Sequence, residues 1–172
     1  MTTATLKASV AIGESGSNAF SSGPFWNGSL SYSQVLSDGT TANKADLSYM
    51  AEITVASAAN SDLDLAGVLT DALGNTVTAA EIVAIMIKNV ALDGTANTTS
   101  LTIGGGSNPV VGFMGGTTPT IGPIKPGGMV MLAAGDAAGL GAVTAGTGDI
   151  LRIANSSGAT AKFQIAILAR SA

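Results

Sequence analysis

The sequence predicts an all-β protein: an antiparallel β-sandwich of jelly-roll type, preceded by an N-terminal arm or long loop. Three observations carry this prediction. Apolar and polar residues alternate with period two in segments from one end of the chain to the other, the pattern of half-buried strands. Between these segments lie "SDGTT", "LDGTAN", "IKPGGM", "GDAAGLGAVTAGTGD" and "NSSGAT", all turn or loop chemistry. The composition, 46% hydrophobic and 10% charged with 23 glycines, is the reverse of a disordered chain and suits strands joined by tight turns.

The first strand places Leu6, Ala8, Val10 and Ile12 on one face, with Lys7 and Ser9 opposite. Gly13 to Gly28, "GESGSNAFSSGPFWNG", has no periodicity and is expected to be an arm or long loop, ending at the turn signal Asn27-Gly28. The chain is therefore divided into residues 1–28, a first strand plus arm, and residues 29–172, the sandwich, within a single domain overall. In "GSLSYSQVL", Leu30 and Tyr32 face away from Ser29, Ser31 and Ser33. The clearest strand is "LSYMAEITV", where Leu47, Tyr49, Ala51, Ile53 and Val55 alternate with Ser48, Met50, Glu52 and Thr54. Leu63 and Leu65 alternate with Asp62 and Asp64 in a short strand.

The segment "TVTAAEIVAIMIKNVAL" is double-edged. Thr78 and Glu81 have capping-box spacing, but Ile82, Val83, Ile85, Ile87 and Val90 are β-branched and apolar on both faces. A single helical turn from Thr78 to Glu81 running into a central strand is expected. Thr99, Leu101 and Ile103 share the face of another strand. At the C-terminal end "DILRIA" and "AKFQIAILA" flank "NSSGAT", predicting a hairpin with Leu151 and Ile153 beside Phe163, Ile165 and Ile167. About eight strands at short spacing, with little helix pattern, give the jelly-roll assignment.

Several function classes fall away on composition. The net charge of -4 comes without a basic block, whereas nucleic-acid binding rests on clustered cations, so no nucleic acid is expected as partner. The longest apolar runs, "IVAIMI" and "MVMLAAG", are far shorter than the roughly 20 residues of a membrane helix, so no membrane span is expected. The N-terminus shows no charged leader before an apolar core, so no signal peptide is read. The chain has no Cys and no His, which removes disulfides, thiolate nucleophiles, Cys/His zinc sites and every Ser-His or Cys-His catalytic arrangement.

"LTIGGGSNPVVGFMGG", Leu101 to Gly116, resembles a phosphate-cradling loop, but the third glycine of a dinucleotide fingerprint is replaced by Pro109 and no Gly-Lys pair exists for a Walker loop. Its glycines are read as turn and close-packing residues. "DLDLAG" at Asp62 begins like an EF-hand, yet the third ligand position is Ala66 and the twelfth is Leu73. No G-x-S-x-G elbow or S-x-x-K pattern occurs, and paired-carboxylate glycosidase chemistry fits poorly with aromatics at 4%. No catalytic residue, cofactor or metal ligand is assigned, and an enzyme is not expected. Sequons at Asn27, Asn97 and Asn155 are read as chance in a Ser/Thr-rich chain. The densest aromatic patch, "GPFWNG" with Phe25 and Trp26 beside Phe20, is either a plug over one end of the sandwich or an anchor in a partner's pocket. Phe20, Phe25 and Trp26 are thus the candidate interface residues.

The segment "IKPGGMVMLAAGDAAGLGAVTAGTGDILRIANSSGATAKFQIAIL", from Ile124, resembles small structural proteins of tailed bacteriophages, and "DLDLAGVLTDALGNTVTAAEIVAIMIKN", from Asp62, follows the same pattern. The resemblance stops short of the residues before Asp46. It implies a β-sandwich made in the bacterial cytoplasm and carried in the virion, as a capsid cement or decoration subunit. Its implied partners are the major capsid protein or other virion proteins, with self-association as a dimer or trimer. The alternative is a tail or fibre appendage component that binds a host receptor or glycan.

Overall fold

The computed structural model describes residues 1–17, 23–110, 112–114, 116 and 119–172. Its strands are β1 (Ala4–Ser15), β2 (Phe25–Leu36), β3 (Leu47–Val55), β4 (Asn60–Asp64), β5 (Ala66–Thr70), β6 (Thr76–Thr78), β7 (Glu81–Lys88), β8 (Leu101–Gly104), β9 (Thr120–Ile124), β10 (Met129–Ala133), β11 (Gly141–Ala142), β12 (Ile150–Asn155) and β13 (Ala161–Arg170). No helix occurs among the described residues, so none is long and apolar enough to cross a membrane.

Two antiparallel sheets make the sandwich. One has the order β10-β7-β13-β3, with the short β11 also on β7; the other has the order β4-β12-β8-β9. The ladders nest: β3 pairs β13, β4 pairs β12, β7 pairs β10, and β8 pairs β9. Strands from the two ends of the segment thus enclose those from its middle, and the ladders of β13 on β7 and β12 on β8 close each sheet.

The core lies between the inner faces, where strand alternation places it. Phe163, Ile165 and Ile167 of β13, Ile85 and Ile87 of β7, and Val55 of β3 meet Leu63 of β4, Leu101 and Ile103 of β8, and Leu151 and Ile153 of β12. Each such side chain, once fully buried, contributes about 1.5–3 kcal/mol of transfer free energy. The face expected for "LSYMAEITV" is the observed one, with Leu47, Tyr49, Ala51 and Ile53 against this cluster.

Three local expectations are corrected. The helical turn at Thr78–Glu81 is absent: the Ala79 and Ala80 amides donate to the carbonyls of Leu65 and Arg170, and the Glu81 carboxylate accepts from Arg170 instead of reaching back toward Thr78. The strands flanking "NSSGAT" do not form a hairpin, because β12 and β13 belong to opposite sheets. Period two allows both arrangements: Leu151 and Ile153 face Phe163 and Ile165 across the core instead of standing beside them. Asn27 and Gly28 are not a turn but lie inside β2, opposite Gly13 and Ile12.

β7 is apolar on both sides for a visible reason. Ile82, Ile85 and Ile87 face the main core, while Val83 and Ala84 join a second cluster with Leu6, Leu36 and Ala45 on the sheet's outer side. A register shift in the β13–β7 ladder skips Val83, a bulge that lets neighbouring residues serve both cores.

Buried polar groups tie the loops to this frame. Arg170 is fully buried: it bonds Glu81 Oε2 at 2.5 Å, the Lys44 carbonyl at 3.0 Å and the Asp136 carbonyl at 2.7 Å. Asn155 Nδ2 donates to the carbonyls of Val55, Ala56 and Ala159, and Asn89 Nδ2 to those of Thr99 and Ile124.

On the outer side of the second sheet, Arg152 and Asp62 are cross-strand partners with two bonds of 2.6 Å. The hydrogen bond from Arg152, with its positive charge, holds the Asp62 carboxyl below the ordinary Asp range. A carboxyl with a lowered folded pKa stabilises the fold above its unfolded pKa, about 3.9, and that contribution is lost as pH falls through the folded value. Asp62→Asn should therefore lower Tm at pH 7 and leave it nearly unchanged at pH 2. Because the pair is open to solvent, the effect is expected to be no more than about 2–4 °C. Thermal melts of both chains across this range check the sign; a larger loss in acid than at neutrality contradicts it.

Candidate functional site

The feature that departs most from a self-contained sandwich is the β1–β2 ribbon. Each strand has 12 residues, so at about 3.3 Å per residue the ribbon is roughly 40 Å long. It runs on to Leu36, beyond the Gly28 boundary expected from the sequence, and Leu30 and Tyr32 belong to it. The Gly16 amide donates to the Pro24 carbonyl at 2.8 Å where the strands part.

The register sorts the ribbon into two faces, because directly paired residues point the same way. One face carries the pairs Leu6 with Gln34, Ala8 with Tyr32, Val10 with Leu30, and Glu14 with Trp26. The other carries Lys7 with Ser33, Ser9 with Ser31, and Ala11 with Ser29. The first is apolar and the second is mostly hydroxyls. Only the base of the apolar face is covered: Ala4, Leu6 and Leu36 pack on the outer side of the β10-β7-β13-β3 sheet, against Val83, Ala84, Met131 and Leu168. Farther out Leu30 is 78% exposed, and Val10, Ile12 and Tyr32 are exposed with it.

The base is held firmly. Thr2 Oγ1 donates to the Asp46 carbonyl at 2.9 Å, the Asn43 amide to the Gly135 carbonyl at 2.6 Å, and Gln34 Nε2 to Asn43 Oδ1 at 2.7 Å. The ribbon is thus a fixed projection of the sandwich.

Of the candidate interface residues, Phe20 lies outside the described residues. Phe25 and Trp26 stand at the outer end of the ribbon, 69% and 55% exposed, on opposite faces. Neither joins a core cluster, so the plug reading fails for both. The Trp26 indole lies across Gly28, where an added Cβ would come within 2.2 Å of the ring.

Beside the ribbon base the outer face of the β10-β7-β13-β3 sheet forms a groove of about 810 Å³, walled by the N-terminal residues and the Asp71–Asn75 turn. The ladders set Met50, Ala166, Met86 and Met131 in one row across β3, β13, β7 and β10, on its floor. Met50 is 75% exposed. This row is absent from the sequence expectations. The available signal was an apolar residue on a polar face: Met50 among Ser48, Glu52 and Thr54, and Ala166 and Leu168 on the side of Lys162 and Gln164.

Elsewhere several polar groups are occupied structurally, while Thr99 Oγ1, Asp149 Oδ1 and Asn155 Oδ1 are buried without a hydrogen-bond partner. Among the described residues no three carboxylates converge as a metal site. Asp62 is paired with Arg152, and Asp64 Oδ1 accepts the Ala66 amide at 2.8 Å, closing the "DLDLAG" turn. The glycines of "LTIGGG" serve conformation and packing: Gly104 has φ +92°, and a Cβ there would lie 2.2 Å from the Pro119 carbonyl oxygen. The sequon Asn155 is buried in its hydrogen bonds.

No protein-family model, curated protein or solved structure matches this chain.

Proposed function

We propose that the chain is a structural subunit of a tailed-phage virion, a cement or decoration protein that reinforces the head shell through non-covalent contacts. The observation that carries this reading is the exposed aromatic tip of the ribbon, Phe25 and Trp26, projecting from a sandwich whose own core is already complete. Large exposed apolar patches on a folded domain mark surfaces that partners cover. The resemblance of the segments from Asp62 and Ile124 to phage structural proteins supplies the kind of partner: the major capsid protein or a neighbouring virion protein. The nested pairing of β3 with β13, β4 with β12, β7 with β10 and β8 with β9 is the order expected of a jelly roll, which supports the same assignment. No catalytic role is proposed.

Phage shells assembled without this chain, mixed with the purified protein and sedimented, test the reading. Saturable co-sedimentation at a fixed ratio to the shell subunit is expected. If the protein stays in the supernatant at every concentration, the shell-binding reading fails. Binding instead to host cells or their surface polysaccharide would replace it with the appendage reading.

A further inference from the structure

We infer that the apolar face of the β1–β2 ribbon is an exchange arm, seated in the methionine-floored groove on the β10-β7-β13-β3 sheet of a second copy of this chain. This goes beyond the shell-binding reading and stands or falls on the isolated protein.

The occupant follows from an interface the chain already makes with itself. At its base, the ribbon's apolar face packs on the outer face of β7, β13 and β10 through Leu6 and Leu36. The exposed remainder of that ribbon face and the exposed remainder of that sheet face are continuations of the same two surfaces. Within one chain they do not meet, since Leu30 and Met50 are both left in solvent. A second copy brings them together with no chemistry new to the molecule.

Size and shape agree. The row Met50–Ala166–Met86–Met131 spans four strands, about 14 Å at a strand spacing of about 4.8 Å, wide enough for a two-stranded ribbon. Alanine at the second place leaves a trough between flexible thioethers, which adapt to the shape laid on them. The ribbon strands contain only two charges, Lys7 and Glu14. Glu14, on the apolar face near the outer end, has the sign to meet Lys88, which faces outward on the strand carrying Met86, whereas Lys162 on the same face is already paired with Glu52 at 3.9 Å.

Area then sets the symmetry. The uncovered ribbon face, from Ala8 to Glu14, is about 20 Å long and two strands wide, smaller than the roughly 800 Å² per partner of a standard interface. One junction is marginal and two suffice, so each copy both gives and receives a ribbon in a closed assembly.

The test uses the full chain alone in solution. Light scattering at about 10–100 μM is expected to find one closed oligomer. Leu30→Lys and Met50→Lys both alter highly exposed side chains, so each should leave the far-ultraviolet circular dichroism spectrum unchanged while weakening association at least about tenfold. Mixing the two variants should restore association only in part, to a level between the variants and the parent, because a mixed pair has one intact junction and one that carries both substitutions.

As a second readout, p-benzoylphenylalanine placed at position 30 should cross-link to peptides of β3, β7 or β10 from an isotope-labelled second copy. The inference is overturned by a monomer at about 100 μM, by a Met50→Lys oligomer as tight as the parent, by a mixture that associates no more tightly than either variant alone, or by cross-links to the partner's ribbon. A chain that is monomeric alone yet sediments with shells overturns this inference and leaves the shell-binding reading standing. An oligomer with these properties that ignores shells does the reverse.

Discussion

Replacing Arg170 with methionine is expected to destabilise the fold by about 3–5 kcal/mol, the range for removing one partner of a buried ion pair. The side chain is fully buried at the end of β13, and its guanidinium draws together three separate parts of the chain: Glu81 at the start of β7, the Lys44 carbonyl beyond the ribbon base, and the Asp136 carbonyl in the loop after β10. Methionine fills similar space but donates nothing. The Glu81 carboxylate and the carbonyls are then left unpaired, and that desolvation penalty exceeds the net worth of the bonds themselves. Lysine should not rescue, because a point charge cannot reproduce the fork that reaches a carboxylate and several carbonyls at once. Adding Glu81→Leu to the methionine variant should recover part of the loss by removing the stranded charge. Urea unfolding of the single and double variants checks both statements; a cost below about 1 kcal/mol for Arg170→Met would show the network to be incidental.

Truncating Phe163 to alanine is expected to cost about 3–5 kcal/mol as well, through a different mechanism. Phe163 has no solvent exposure and sits on β13 opposite Ile53, between the two sheets. Two flanking strands and a facing sheet fix the backbone there, so the void cannot collapse, and the lost transfer energy is joined by a cavity term. Leu92→Ala, at a side chain 73% exposed, should by contrast change stability by less than about 0.5 kcal/mol. Near-equal costs at the two positions would contradict the placement of the core.

These residues show what period-two alternation can reveal. It located Phe163, Leu151 and Ile53 on inward faces because burial on one side of a sheet writes itself directly into a single strand. It could not say which sheet each strand joined, since Leu151 beside Phe163 and Leu151 facing Phe163 leave the same pattern. The hairpin expected at "NSSGAT" failed for this reason. The capping-box spacing of Thr78 and Glu81 misled because the partner that claims Glu81, Arg170, is distant in sequence.

The site was half legible. Leu30 and Tyr32 alternating with serines announced an amphipathic strand, and "GPFWNG" marked exposed aromatics. What covers an apolar face is not encoded locally, so strands with the same pattern can face a core or solvent. The methionine row was hidden for a further reason: its members come from four strands far apart in the chain and become neighbours only through the ladders of β13 with β3 and β7 and of β10 with β7.

We propose that this chain is a subunit carried in stoichiometric amount on a phage shell. Its copy number in purified native particles, by quantitative mass spectrometry relative to the major shell subunit, tests that claim most directly. A number comparable to that of the shell subunit is the predicted result. A handful of copies would point to a tail or fibre component instead, and complete absence from the particles would contradict the account.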